Sequence, residues 1–95
     1  MKFEWDEIKR AETLKLRRLD FADADLFFDG RPVVHIPSIR GGEERWKTVA
    51  RIEGAFFTLV WTWRADVVRV ISMRRAHEDE ERAHHAHHGS EHEEP

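Results

Sequence analysis

Six basic side chains recur through the second half of the chain at strand-like intervals: Arg45, Lys47, Arg51, Arg64, Arg69 and Arg74. Arginine offers planar paired donors that fit phosphate oxygens, and basic side chains gathered on one sheet face can clamp a phosphodiester backbone. A solvated sheet face carrying surface ion pairs would use the same residues. Arg64, Arg69 and Arg74 punctuate the longest apolar stretch, Ala55 to Ala76. An unpaired guanidinium buried there would cost on the order of several kcal/mol, so each needs a partner or a solvated cleft. Trp46, Trp61 and Trp63 can stack on bases, although strand alternation assigns such residues first to a core. Trp63, beside Arg64 and near a turn, is the exception expected to meet a ligand.

Other chemistry is sparse. The chain has no cysteine, which excludes disulfides, thiolate metal sites and cysteine nucleophiles. There is no glycine-rich phosphate loop, no HExxH and no serine-nucleophile motif. His84, His85, His87 and His88 have helical metal-chelating spacings, but they lead into a polar tail without a fixed outer shell. No metal and no cofactor is expected. His35, alone on a short strand, reads as a structural histidine.

The elements that must position the basic set follow from periodicity. Phe57, Leu59, Trp61 and Trp63 share one face of a strand, and Val67 to Met73 is a second strand beyond a turn at Ala65-Asp66. Arg45 to Ile52 alternates likewise, with Trp46, Thr48, Ala50 and Ile52 opposite Arg45, Lys47, Val49 and Arg51. Glu53-Gly54 joins it to the hairpin. These three strands form an antiparallel meander, extended by short strands at Met1–Trp5 and at Val33–Ile36, the latter closed by Pro37. Ser38 to Glu44, with Gly41-Gly42, is expected as a flexible loop. Asp6 caps a helix with apolar positions Ile8, Ala11 and Leu14, and Asp20 caps a shorter one over 21–28 that buries Phe21, Ala24 and Phe28. After Arg75 a third helix has only Ala76, Ala83 and Ala86 as apolar positions, so loose packing is expected.

Ninety-five residues allow one domain, 1–88, followed by a disordered acidic tail, 89–95. Residues 1–77 carry 15 basic against 12 acidic side chains, whereas residues 78–95 carry one against seven. A mildly basic body permits a phosphate-bearing partner. The apolar runs are far below the roughly 20 residues of a membrane helix, and the charged start MKFEWDEIKR has no signal-peptide core. The expected location is the cytoplasm, with no membrane partner.

FEWDEIK at 3–9, LDFADAD at 19–25, GEER at 42–45 and RVISMRRA at 69–76, taken in this order, resemble the BrnT family. The resemblance implies an α+β, RelE-like fold: an antiparallel sheet with two N-terminal helices and one C-terminal helix. It also implies a ribonuclease that arrests translation. Its partners would be RNA and a BrnA-like ribbon-helix-helix antitoxin, which alone contacts operator DNA. Family functional positions fall on Trp5, Lys9, Glu44, Arg64, Arg69 and Arg74. The family's Asn-x-x-Lys-His-Gly segment is replaced: Leu16 stands for the lysine and Arg17 for the histidine. Arginine stabilises negative charge but is a poor base.

The mechanism this implies is metal-independent attack of an RNA 2′-OH on the adjacent phosphorus. Arg64, Arg69 and Arg74 would stabilise charge, Glu44 would act as base, and Lys9 or Arg17 would position the backbone. Trp5, Arg45, Lys47, Arg51 and Trp63 would bind RNA. The antitoxin is expected to cover Arg45, Lys47 and Arg51 while the segment from Arg75 to His88 moves. Two alternatives belong to other classes: a catalytically degenerate toxin retained as co-repressor with its antitoxin, and a non-catalytic RNA-binding domain.

Overall fold

The computed structural model describes residues 1–89 of the chain, and the tail beyond Gly89 lies outside the described residues. Five strands form one sheet in the order β1-β5-β4-β3-β2, where β1 is Lys2–Glu4, β2 Val33–Arg40, β3 Glu43–Ile52, β4 Ala55–Arg64 and β5 Val67–Arg75. The meander β2–β5 is antiparallel, as the alternation requires. β1 pairs parallel to β5, which makes the sheet mixed rather than antiparallel. Helix α1 (Glu7–Arg17) and a 3-10 helix (Phe21–Phe27) lie between β1 and β2, and helix α2 (Glu78–His88) follows β5.

One sheet face carries the hydrophobic core. Ala50, Leu59, Trp61, Val68, Val70 and Met73 pack there under Phe21, Ala24 and Phe27 of the 3-10 helix. The buried stripe ends on Phe27 rather than Phe28 because a 3-10 helix has three residues per turn, so positions 21, 24 and 27 eclipse. Phe28 stays half-buried, edge-on to Trp61 at 5.3 Å.

Pro37 does not close β2, which runs on to Arg40. On an edge strand the missing N–H of proline faces outward and breaks no ladder bond. The expected loop over 38–44 contracts to a two-residue turn at Gly41-Gly42, both at positive φ as such hairpin turns need. Asp6 does cap α1, its carboxylate accepting from the N–H groups of Ile8 and Lys9. The helix, however, presents Ile8 (71 % exposed) and Leu16 (80 %) to solvent. It is held instead through its polar side, by Arg10 on Asp20 at 2.7 Å and by Arg17 on the carbonyl of Met73 at 2.9 Å.

α2 is likewise fixed by polar groups, against the expectation of loose packing. Glu80, 2 % exposed, accepts from both Nη atoms of Arg74 (2.7 and 2.8 Å), from the Thr58 hydroxyl (2.9 Å) and from the backbone N–H of His77 (2.8 Å). Lys47 Nζ lies 3.8 Å from the same carboxylate. One helical turn on, the buried His84 donates to the carbonyl of Pro32 and meets Phe56 edge-on at 5.0 Å. His88 donates to the carbonyl of Val33. Few apolar residues are needed when one carboxylate is saturated by four donors.

Burial works against an ionised Glu80, but Arg74, the His77 N–H and the Thr58 hydroxyl together outweigh it and hold its pKa at about 2, against an ordinary 4.5. The folded value is depressed, so this contribution is complete above about pH 4.5 and is lost as pH falls toward 2. A displacement of that size corresponds to about 3 kcal/mol. Glu80→Ala should therefore lose roughly 3–5 kcal/mol in urea titrations at pH 7, because it strands Arg74 beneath the helix. The variant should also lack most of the wild-type decline in stability between pH 4.5 and 2.

Candidate functional site

The sheet face opposite the core gathers most of the basic set. Cross-strand pairing places Lys47 opposite Val60, Arg51 opposite Phe56, Arg69 opposite Thr62 and Arg74 opposite Thr58. Arg69 and Arg74 are separated by an odd number of residues and would point to opposite faces of a regular strand. A β-bulge between the rows of Val60 and Trp61 leaves Ile71 without a cross-strand partner and turns both arginines to the same side.

Sharing a face does not make the arginines converge. Four rows separate Arg74 from Arg69, a span of roughly 13 Å, and Arg64 lies two residues further along β4 than the Arg69 row. Arg69 pairs with Glu4 at 3.3 Å, Arg45 with Glu43 at 3.4 Å, and Arg64 is exposed at the hairpin tip. α2 covers the end of this face that holds Lys47 and Arg51. Glu44 is not brought to the arginines: by alternation its side chain shares the Trp46 face, and only its backbone carbonyl is engaged, by the Thr62 hydroxyl at 2.7 Å.

The aromatic residues divide as their alternation dictates. Trp46, Trp61 and Trp63 lie on the core face, where Thr48 accepts from the Trp61 indole N–H and bonds His35 Nδ1, each at 2.8 Å. Burial lowers the pKa of His35. Trp63, 48 % exposed and edge-on to Trp61 at 5.1 Å, rims an apolar cavity of about 340 Å³ with Met1, Phe28 and His35. Its chemistry is therefore separate from that of the basic face. Trp5 is half-buried against the core, its indole N–H donating to Glu7 and its ring under the guanidinium of Arg10 at 5.7 Å.

Two of the residues singled out from sequence do meet, at the free edge of β5. β1 covers that edge only at Val67–Arg69, and beyond it α1 and the start of α2 approach the strand. There a cleft of about 620 Å³ is lined by Arg17, Leu19, Phe57, Arg74, Arg75 and His77. A smaller cleft of about 190 Å³, lined by Lys9, Glu12, Thr13, Arg17, Ile71 and Ser72 among others, adjoins it through Arg17. Arg75 lies over the Phe57 ring at 5.3 Å. Arg74 is neutralised by Glu80, whereas no carboxylate pairs with Arg17 or Arg75 among the described residues. Among the described residues, no acidic side chain lines the larger cleft.

Sequence reasoning missed Arg75 and His77 here. Arg75 follows Arg74 on the opposite strand face, and His77 heads a helix that looked expendable. Their available signal was the run Arg74-Arg75-Ala76-His77, in which a strand ends and a helix begins within four residues.

Arginines lining an open cleft can attract an anion. The chain belongs to the BrnT family: the model described as "Ribonuclease toxin, BrnT, of type II toxin-antitoxin system" matches residues 5–80. No curated protein sequence matches the chain. The matched span holds α1, the whole sheet beyond β1 and the start of α2 as far as Glu80, so every residue lining the larger cleft falls within it. No helix among the described residues is long and apolar enough to cross a membrane.

A cleft that holds phosphates through Arg17 and Arg75 has a measurable signature. For a single strand, each neutralised phosphate contributes about 0.7 to the slope of log affinity against log salt. Arg17→Ala and Arg75→Ala should each reduce that slope by about 0.7 for a 2′-O-methyl oligonucleotide. Arg40→Ala, at the far β2–β3 turn, should leave it unchanged.

Proposed function

We propose that this protein is the ribonuclease toxin of a type II toxin–antitoxin pair and cleaves RNA at the β5 edge by attack of a 2′-OH on the adjacent phosphorus, without a metal. The observation that carries this is the cleft itself: Arg17 and Arg75 line it with no carboxylate paired to either among the described residues, in a chain of a ribonuclease toxin family. Preorganised cations aimed at developing phosphorane charge can supply much of such a rate enhancement. Lys9 and Ser72, in the adjoining cleft, would continue the contact to the backbone, with Arg69 and Arg64 further along the same side. The wider fold class would be RelE-like, the setting cytoplasmic, and the consequence arrest of translation.

The antitoxin partner that a toxin of this type requires would be a ribbon-helix-helix protein, through which the complex reaches operator DNA. A partner that covers Arg45, Lys47 and Arg51 has to lift α2 and break the Glu80 cluster. A catalytically degenerate toxin acting as co-repressor is the alternative, supported by the bidentate capture of Arg74 by Glu80.

Bulk RNA incubated with the full chain in chelator should yield fragments ending in 2′,3′-cyclic phosphate and beginning with 5′-OH. Arg17→Ala and Arg75→Ala should lower kcat at least about tenfold, roughly 1.4 kcal/mol of transition-state stabilisation. Arg64→Ala and Arg69→Ala, more than a phosphate's reach away, should raise KM with kcat within about twofold. Arg74→Ala is uninformative here because it also frees Glu80. Intact RNA with well-folded wild-type protein would leave the co-repressor function standing instead.

A further inference from the structure

We infer that His77 is the proton-transfer residue of this cleft. The inference rests on the ribonuclease function proposed above and names a catalytic group for it.

Arg17, Arg74 and Arg75 bind and stabilise negative charge, but a guanidinium does not give up its proton in a protein. Among the described residues, His77 is the one histidine lining the cleft, and an imidazole can both accept and donate a proton. Its side chain is 65 % exposed, so a phosphodiester in the cleft can reach it. Its backbone is fixed on both sides. The N–H donates to Glu80 Oε1 at 2.8 Å, and the carbonyl accepts from the N–H groups of Glu80 and Glu81, both at 3.0 Å. His77 Nδ1 stands 3.9 Å from Glu80 Oε1, too long for a hydrogen bond.

The step balances on a single imidazole. The 2′ oxygen forms a bond to phosphorus as its proton passes to His77 Nε2. The bond from phosphorus to the 5′ oxygen then breaks, and the same proton is returned to that leaving oxygen. The products are a 2′,3′-cyclic phosphate and a 5′-OH, with no net proton exchanged. The charged groups near His77 are Glu80, with Glu78 and Asp79, on α2, Arg17 on α1, and Arg74 and Arg75 on β5.

The test uses the full chain and a single-stranded RNA oligonucleotide, with its 2′-O-methyl counterpart to measure binding alone. His77→Gln should cleave at least about 100-fold more slowly, bind the 2′-O-methyl strand within about twofold and melt as the wild type does. Its pH–rate profile should lose the limb contributed by imidazole, and added imidazole should restore part of the activity of His77→Ala. A helix-capping role alone would move the melting temperature and leave the profile and the rescue unaffected. Wild-type rate and profile in His77→Gln overturn the assignment while leaving the ribonuclease function intact. If the wild type does not cleave while binding the 2′-O-methyl strand, both fall.

Discussion

The carboxylate of Glu80 is the point on which the C-terminal third of the structure depends. α2 has alanines and histidines where a helix normally carries its apolar stripe, so burial of hydrocarbon cannot hold it. One ion saturated by Arg74, Thr58 and the His77 N–H does so instead. Such a contact is unforgiving, because removing one partner leaves the others as buried unpaired polar groups. It also makes docking directional. The helix can sit only where Thr58 and Arg74, neighbours across β4 and β5, both face it, and that fixes His77 at the mouth of the cleft.

The bulge at Ile71 makes this possible from the sheet side. Without an extra residue, the core positions Val68 and Val70 could not share a face with Met73 while Arg69 shared one with Arg74. The strand thus keeps a continuous apolar face and a continuous basic one across an odd spacing. Bulges commonly re-aim side chains beside functional sites. Here the re-aimed residue is the one that Glu80 requires.

What the sequence disclosed follows the range of the interactions involved. Caps at Asp6 and Asp20, the turns at Glu53-Gly54 and Ala65-Asp66, and the alternation of β3 and β4 are local, and all could be read directly. The errors share a different origin. Pro37 ends a strand only if that strand is interior, and edge position is a tertiary fact. Phe27 replaces Phe28 in the core because the helical period is three. The cleft was the least legible part. Arg17 and Arg74 are 57 residues apart, and only the docking of α1 through a polar hydrogen bond brings them to one place. Glu44, beside the basic strand in sequence, is removed from it by alternation alone.

The charge balance of the cleft bears on why a buried carboxylate sits behind it. Arg17, Arg74 and Arg75 bring three positive charges, and Glu80 removes one through Arg74. The remaining two exceed what a phosphodiester needs in its ground state, where it carries one negative charge, and match the dianionic phosphorane that forms on attack. Only interactions that strengthen in the transition state accelerate chemistry. A third uncompensated cation would bind substrate and product phosphate alike and slow release. In the proposed reaction, Glu80 would therefore trim the field while fixing the helix, and the two effects could not be varied separately. In the proposed reaction, the residue that holds α2 on the sheet would also set how strongly the cleft prefers the transition state over the bound strand.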